Sequence, residues 1–233
     1  THLVARIDSR QAIQGAAFAL ETGVDGLLLP AGQAEIWADA QIIAAQRLAT
    51  QSDGNEIAID DDDSDIVPVE VVSIEDGGVG DRVCVDLTSV LEVGEGLLIG
   101  SSSNALALIH GETLESQFVP PRPFRVNAGA VHAYVLMDDG STKYLSELSA
   151  GDSVSVCNSD GIVRSAVIGR MKIESRPFLL VRFNHPESGI VGQTFLQQAE
   201  TVRLISPLGE MPSVTSITVG DLLLARIGSS ARH

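Results

Sequence analysis

The residues best suited to chemistry lie in one stretch, RPFRVNAGAVHAYV, running from Arg122 to Val135. Arg122, Arg125, Asn127 and His132 fall close together in a strand-like run, with Gly129 where a backbone or ligand must come near. Two fixed guanidinium groups suit bidentate binding of a carboxylate. The plainer alternative is a structural Arg pair at a strand–loop junction. Just upstream, His110, Glu112 and Glu115 form HxExxE after an apolar run. An imidazole beside carboxylates could bind a divalent cation such as manganese or magnesium, or act as general acid and base. Two surface residues at a strand end are the alternative there.

Lysine occurs only at Lys143, in STKYLSEL, and Lys172, in GRMKIESRP. A buried lysine with a depressed pKa can form a Schiff base with a ketone, and a charged one can neutralise an enolate or carboxylate. A solvated lysine on a hairpin is the competing reading. The glycines of GEGLLIG, Gly94–Gly100, are spaced GxGxxxG and no helix signal follows, so a hairpin turn is expected instead of a phosphate cradle. The sequence has no GxSxG elbow, P-loop or HExxH, which sets aside the commonest hydrolase, nucleotide-binding and zinc-protease arrangements.

The elements that must position these residues change character along the chain. Residues 3–7 read as a buried strand, Ser9 as an N-cap, and Ala12, Ile13, Ala16, Ala17 and Leu20 as the stripe of a helix ended by Gly23. A second strand over Gly26–Leu29 precedes a helix with Ile36, Trp37, Ala40, Ile43, Ala44 and Leu48 on one face. Such a β-α-β-α unit needs further parallel strands on its sheet edges, from upstream sequence or another chain. The acidic stretch over Thr50–Asp65 then reads as a solvated linker.

From Val67 the apolar period drops to about two, in short runs separated by Gly, Asp, Asn and Pro. VEVVSI, DRVCVDL, GLLIG, LALIH, HAYVLM, SVSVC, SAVIGRMKI, FLLVRF, TVRLI and DLLLARI are the expected strands. A glycine turn opening an apolar strand recurs at Val79, Val93, Ala150 and Val219. The expected class is α+β: a short, incomplete α/β portion with its acidic linker over residues 1–65, then a mainly antiparallel β-barrel or sandwich over 66–233.

A formal net charge of -16 argues against binding nucleic acid through a general field, so an anionic ligand has to be held locally. No stretch approaches the roughly 20 apolar residues of a membrane span. Cys84 and Cys157 lack metal spacing and fit a reducing compartment.

GDRVCVDL, GEGLLIG, RPFRVNAGAVHAYV, KYLSEL, GRMKIESRP and LQQAETVRL resemble, in order and spacing, the signature blocks of the type II 3-dehydroquinate synthase family. The resemblance runs from about Val69 to the C-terminus, and residues 3–30 more loosely resemble the end of that family's N-terminal α/β domain, whose earlier part is expected to be missing. It implies NAD-dependent oxidative deamination of an amino-keto acid, 2-amino-3,7-dideoxy-D-threo-hept-6-ulosonate, followed by aldol closure to 3-dehydroquinate. A sister branch similar to 3-amino-4-hydroxybenzoate synthase implies instead a divalent metal and no NAD, and the candidate ligands read from the residues above are His110 and Glu112. Under the resemblance Arg122 and Arg125 anchor the carboxylate, with Asn127, Arg170, Gln197 and Glu200 also on the substrate. His132 or Glu147 moves protons, and Lys143, Lys172 or a metal stabilises the enolate.

Three departures from the family pattern bear on the pocket: Asn104 and Ala105 for an Arg-Gly pair, Ala130 for a proline, and Gln198 for an asparagine. The ending GSSARH resembles plastid homologues, so the expected location is cytoplasmic or the plastid stroma. A homo-oligomer or larger assembly completing the α/β sheet is the expected partner state, and a non-catalytic binding or assembly subunit in a photosynthetic organelle is the remaining alternative function.

Overall fold

The computed structural model describes residues 3–17, 24–53, 66–116 and 119–228, which divide into two compact units within residues 1–60 and 61–233. Leu20, Gly23, the acidic block at Asp60–Asp63 and Asp65, and the ending after Gly228 lie outside the described residues, as does the side chain of Leu48.

The first unit runs β1 (Val4–Arg6), α1 (Arg10–Ala17), β2 (Gly26–Leu28), α2 (Ala34–Asp53), with β1 and β2 parallel. Ile36 and Ala40, one turn apart on α2, are buried with Ile13 of α1 and Ile7, which is the core that period predicts. Trp37 departs from the expectation: it is half exposed and its Nε1 donates to the Pro30 carbonyl at 2.9 Å. Trp37, Val24, Leu27 and Leu29 border a hollow of about 550 Å³, and Leu28 is exposed, because two strands cannot cover both helices.

The second unit is antiparallel throughout its named strands: β3 (Ile66–Leu87), β4 (Glu95–Ser102), β5 (Ala105–His110), β6 (Arg125–Ala130), β7 (Tyr134–Leu136), β8 (Thr142–Tyr144), β9 (Ser153–Asn158), β10 (Val163–Asn184), β11 (Val191–Gln197) and β12 (Leu222–Ile227). Pairings run β3–β12–β5–β4–β9–β10 and back to β3, so six strands close on themselves as a barrel, with β6, β11 and the β7–β8 pair attached outside that circuit. Leu97 and Ile99 of β4 face one core while Leu98 faces a second, which explains why GLLIG is apolar at every branched position. The protein is therefore α+β, with the β part dominant.

Two expected strand pairs merge. VEVVSI and DRVCVDL are the two ends of β3, and SAVIGRMKI and FLLVRF the two ends of β10; these long strands pair from Ile168↔Leu87 to Asn184↔Glu70, with bulges absorbing the twist. TVRLI, expected as a strand, makes only isolated bridges, through Arg203 and Leu204, while β11 was not anticipated. Three of the four recurring glycine turns open strands β4, β9 and β12; the fourth lies inside β3. No described helix is long and apolar enough to cross a membrane.

Candidate functional site

Strands β10, β3 and β6 lie side by side, and their register sorts residues onto two faces. Val83, Val85 and Leu87 of β3 enter the core. Arg82, Cys84 and Asp86 alternate with them and face the other way. Opposite Arg82 stands Glu174, opposite Cys84 both Lys172 and Asn127, and opposite Asp86 both Arg170 and Arg125. Partners in register share a face. One side of a three-stranded sheet is thus almost wholly polar, although Arg82, Asp86, Arg125 and Asn127 are all buried.

Over this face lies a cavity of about 460 Å³. Its floor carries Arg82, Arg125 and Asn127, one side Lys172, Glu174 and Arg176, and the other Gln197 at the end of β11 with Glu200 and Thr201 just beyond it, while Glu112 and Arg122 complete the lining. Five of the chain's fifteen Lys and Arg residues line it, which supplies the local cationic site that a strongly acidic protein needs for an anion.

The ion pairs divide these charges unequally. Asp86 takes Arg125 through two bonds, Nε at 2.6 Å and Nη2 at 2.9 Å, and also Arg170 Nε at 2.8 Å. Burial would raise the Asp86 carboxyl, but the Arg125 and Arg170 bonds outweigh it and hold it below its ordinary value. Arg122 Nη1 donates to Glu112 at 3.0 Å. Glu174 alone serves three cations: Arg82 at 2.8 Å, Arg176 at 3.1 Å and Lys172 at 3.2 Å. The Lys172 bond, reinforced by the Arg176 and Arg82 charges, keeps its carboxyl below the usual range. Arg82 also contacts the Cys84 sulfur; burial pushes that thiol up against the opposing pull of Arg82 and Arg125.

Of the residues expected at a site, Arg122, Arg125, Asn127, Lys172, Gln197 and Glu200 meet at this cavity, with Glu112. Arg170 shares Asp86 with Arg125, but most of its side chain is in solvent and outside the lining. His132, Lys143 and Glu147 are not among the lining residues. His132 is exposed, edge-on to Phe195 with ring centres 5.2 Å apart. Lys143 pairs with Asp152 at 3.2 Å, and Glu147 accepts from the Tyr144 N–H at 3.0 Å.

His110 and Glu112 have separate partners: His110 Nε2 accepts the Gly94 N–H at 3.0 Å while Glu112 is engaged by Arg122. Burial, with the charge of Arg203, lowers His110 to about 4, so it is neutral at pH 7. The described residues contain no group of three or more His, Cys, Asp or Glu able to hold a metal ion. The glycines of GEGLLIG lie just before β4 and within it. A Cβ on Gly96 would sit 2.0 Å from the Ile109 carbonyl oxygen, so that glycine serves the close contact between β4 and β5.

Arg82, Asp86, Glu174 and Arg176 were not anticipated. Their signal is the period-two alternation in DRVCVD and MKIESR, polar residues recurring on a single face. Among the departures, Ala130 lies opposite Arg82, Gln198 is exposed, and Asn104 sits in the β4–β5 turn.

The family model of the 3-dehydroquinate synthase II C-terminal domain matches residues 68–233. The 3-dehydroquinate synthase of Methanosphaera stadtmanae is 46% identical over 194 residues, covering 80% of this chain and 54% of the relative. That of Methanocaldococcus jannaschii is 42% identical over 231 residues, covering 99% and 60%. That of Methanothermobacter thermautotrophicus is 45% identical over 215 residues, covering 92% and 54%. The chain thus spans between 54% and 60% of these relatives' lengths. A matched domain holding the whole cavity, together with identity above 40% across most of the chain, makes this protein a member of the 3-dehydroquinate synthase II family.

Proposed function

We propose that this chain holds the amino-keto acid of a type II 3-dehydroquinate synthase, in the conversion of 2-amino-3,7-dideoxy-D-threo-hept-6-ulosonate to 3-dehydroquinate by oxidative deamination and aldol closure. The observation that carries the reading is the charge imbalance in the cavity. Three cations, Arg82, Lys172 and Arg176, share the single carboxylate of Glu174, a surplus of two positive charges, whereas Arg122 and Arg125 are committed to Glu112 and Asp86.

The substrate carboxylate binds at this surplus through charge-assisted hydrogen bonds. Ring closure passes through an enolate, and fixed cations beside the developing charge lower its energy. Lys172, half exposed on its four-carbon stem, is the cation with the reach to follow a ketone oxygen. The cavity volume suits a seven-carbon acid. The oxidative step calls for NAD as hydride acceptor, and Gly96 and Gly100, packed against the backbone of β5, are not available to cradle its diphosphate. In this reading further strands, from a second copy or another segment, cover the open β1–β2 edges.

The test is titration of the amino-keto acid into the wild type, Lys172→Ala and Arg176→Gln. Each variant binds about tenfold or more weakly with an unchanged melting temperature, the loss expected for one charge-assisted bond. Equal affinity in all three proteins rejects the reading.

A further inference from the structure

We infer that the Asn127–Glu200 side of this cavity is a recognition site for an ammonium group, so that the cavity reads an amino-acid head as a whole: carboxylate toward Arg82, Lys172 and Arg176, amine toward Asn127 and Glu200. The inference rests on the reading of the cavity as the amino-keto acid site and adds the wall that distinguishes an amine from its absence.

Two acceptor atoms carry it. Asn127 is 3% exposed; its Nδ2 donates to Gln197 Oε1 at 2.9 Å, and its Oδ1 is buried with no hydrogen-bond partner. Glu200 Oε1 is likewise buried without a partner. An ionised carboxylate has only acceptor sites, so a neighbouring acceptor cannot satisfy it. The other two carboxylates of the lining are answered, Glu112 by Arg122 and Glu174 by its three cations, whereas Glu200 forms no ion pair among the described residues. In a cavity with five cations, one carboxylate is thus kept apart from all of them.

Buried acceptors without donors are costly, and charged ones most of all. A ligand ammonium matches both atoms, since it brings three donors and a positive charge that a hydroxyl lacks. A purely anionic ligand would leave Glu200 unanswered and add repulsion to it. Arg82 supplies the complementary sign on the floor of the same cavity: its buried Nε is a donor without a partner.

The experiment titrates the whole 233-residue chain with two ligands, the amino-keto acid and the same molecule with hydrogen in place of the ammonium group. The wild type binds the amine about tenfold or more tightly. In Glu200→Gln, which keeps the shape and removes the charge, that preference falls to about twofold or less, because the amine binds more weakly and the deaminated ligand, freed of repulsion, binds as well or better. Asn127→Ser reduces the preference in the same direction. Arg176→Gln weakens both ligands by one factor, because it acts on the carboxylate. Equal binding of the two ligands by the wild type overturns the inference and leaves the cavity reading intact, as does a uniform loss in Glu200→Gln. Failure of the wild type to bind either ligand overturns the cavity reading and the inference with it.

Discussion

Arg82 uses one guanidinium in two directions, Nη2 to Glu174 and Nη1 to the Cys84 sulfur, and so ties a buried strand position to the cavity. Asp86 has the comparable task for Arg125, and its replacement is the sharpest residue-level test of how the floor is held. Asp86→Asn leaves the buried Arg125 without its countercharge and is expected to lower unfolding free energy by about 3 kcal/mol, measured by urea denaturation at pH 7. The pH dependence fixes the sign. The Asp86 carboxyl is lowered in the folded state, so its contribution is complete above the unfolded carboxylate pKa of about 4 and is lost as pH falls through the folded value. Wild type and Asp86→Asn should therefore differ by a constant amount from about pH 5 upward and converge in acid. The sequence exposes only part of this arrangement. Arg122, Arg125 and Asn127 were legible because they crowd into one stretch, whereas Arg82 and Glu174 meet across 92 positions of chain, a separation no local spacing reveals. His132, Lys143 and Glu147 stand outside the cavity lining for the converse reason: reactive residue types whose contacts here are those of a ring edge, a surface ion pair and a turn.

Strand β6 shows how an element can be set by one residue. Gly129 has φ +117°, and a Cβ there would stand 2.5 Å from the Phe195 carbonyl oxygen of β11, so both its conformation and its surroundings exclude a side chain. Gly129→Ala is expected to cost about 2 kcal/mol or more and to disturb the Arg125–Asn127 segment two positions away, seen as altered amide chemical shifts along β6. The glycine itself was visible in NAGAVH, and its meaning as a close backbone approach was the right inference from type alone. The extent of β3 and β10 was not visible, because glycines and a proline in their middles carry the usual marks of a turn while a long antiparallel register overrides them. The missing of β11 has a similar cause. VGQTFLQ alternates buried and partly buried positions, Gly192, Thr194 and Leu196 inward, but two of those three residues are not apolar, so the period goes unseen on a hydrophobic reading.

Over the whole molecule the field opposes the site. A net charge of -16 repels an approaching anion, while the cavity cations attract it only at short range. The association rate of malonate, followed by stopped flow, should thus rise as salt increases from about 0.01 to 0.1 M, where the screening length falls from roughly 30 to 10 Å. A rate that falls with salt would mean that the cationic face extends well beyond the cavity. The closed circuit of six strands bears on synthesis as well as on shape. Its last member, β12, is the strand that bridges β3 to β5, joining Leu222 to Glu70 and Arg226 to Leu106. While a ribosome is still translating toward residue 222, the nascent chain already carries the β3 and β5 borders with nothing between them, and both are templates for misplaced pairing. Closure must wait for β12 to clear the exit tunnel, so until then the barrel is an open ring in need of shelter from its neighbours.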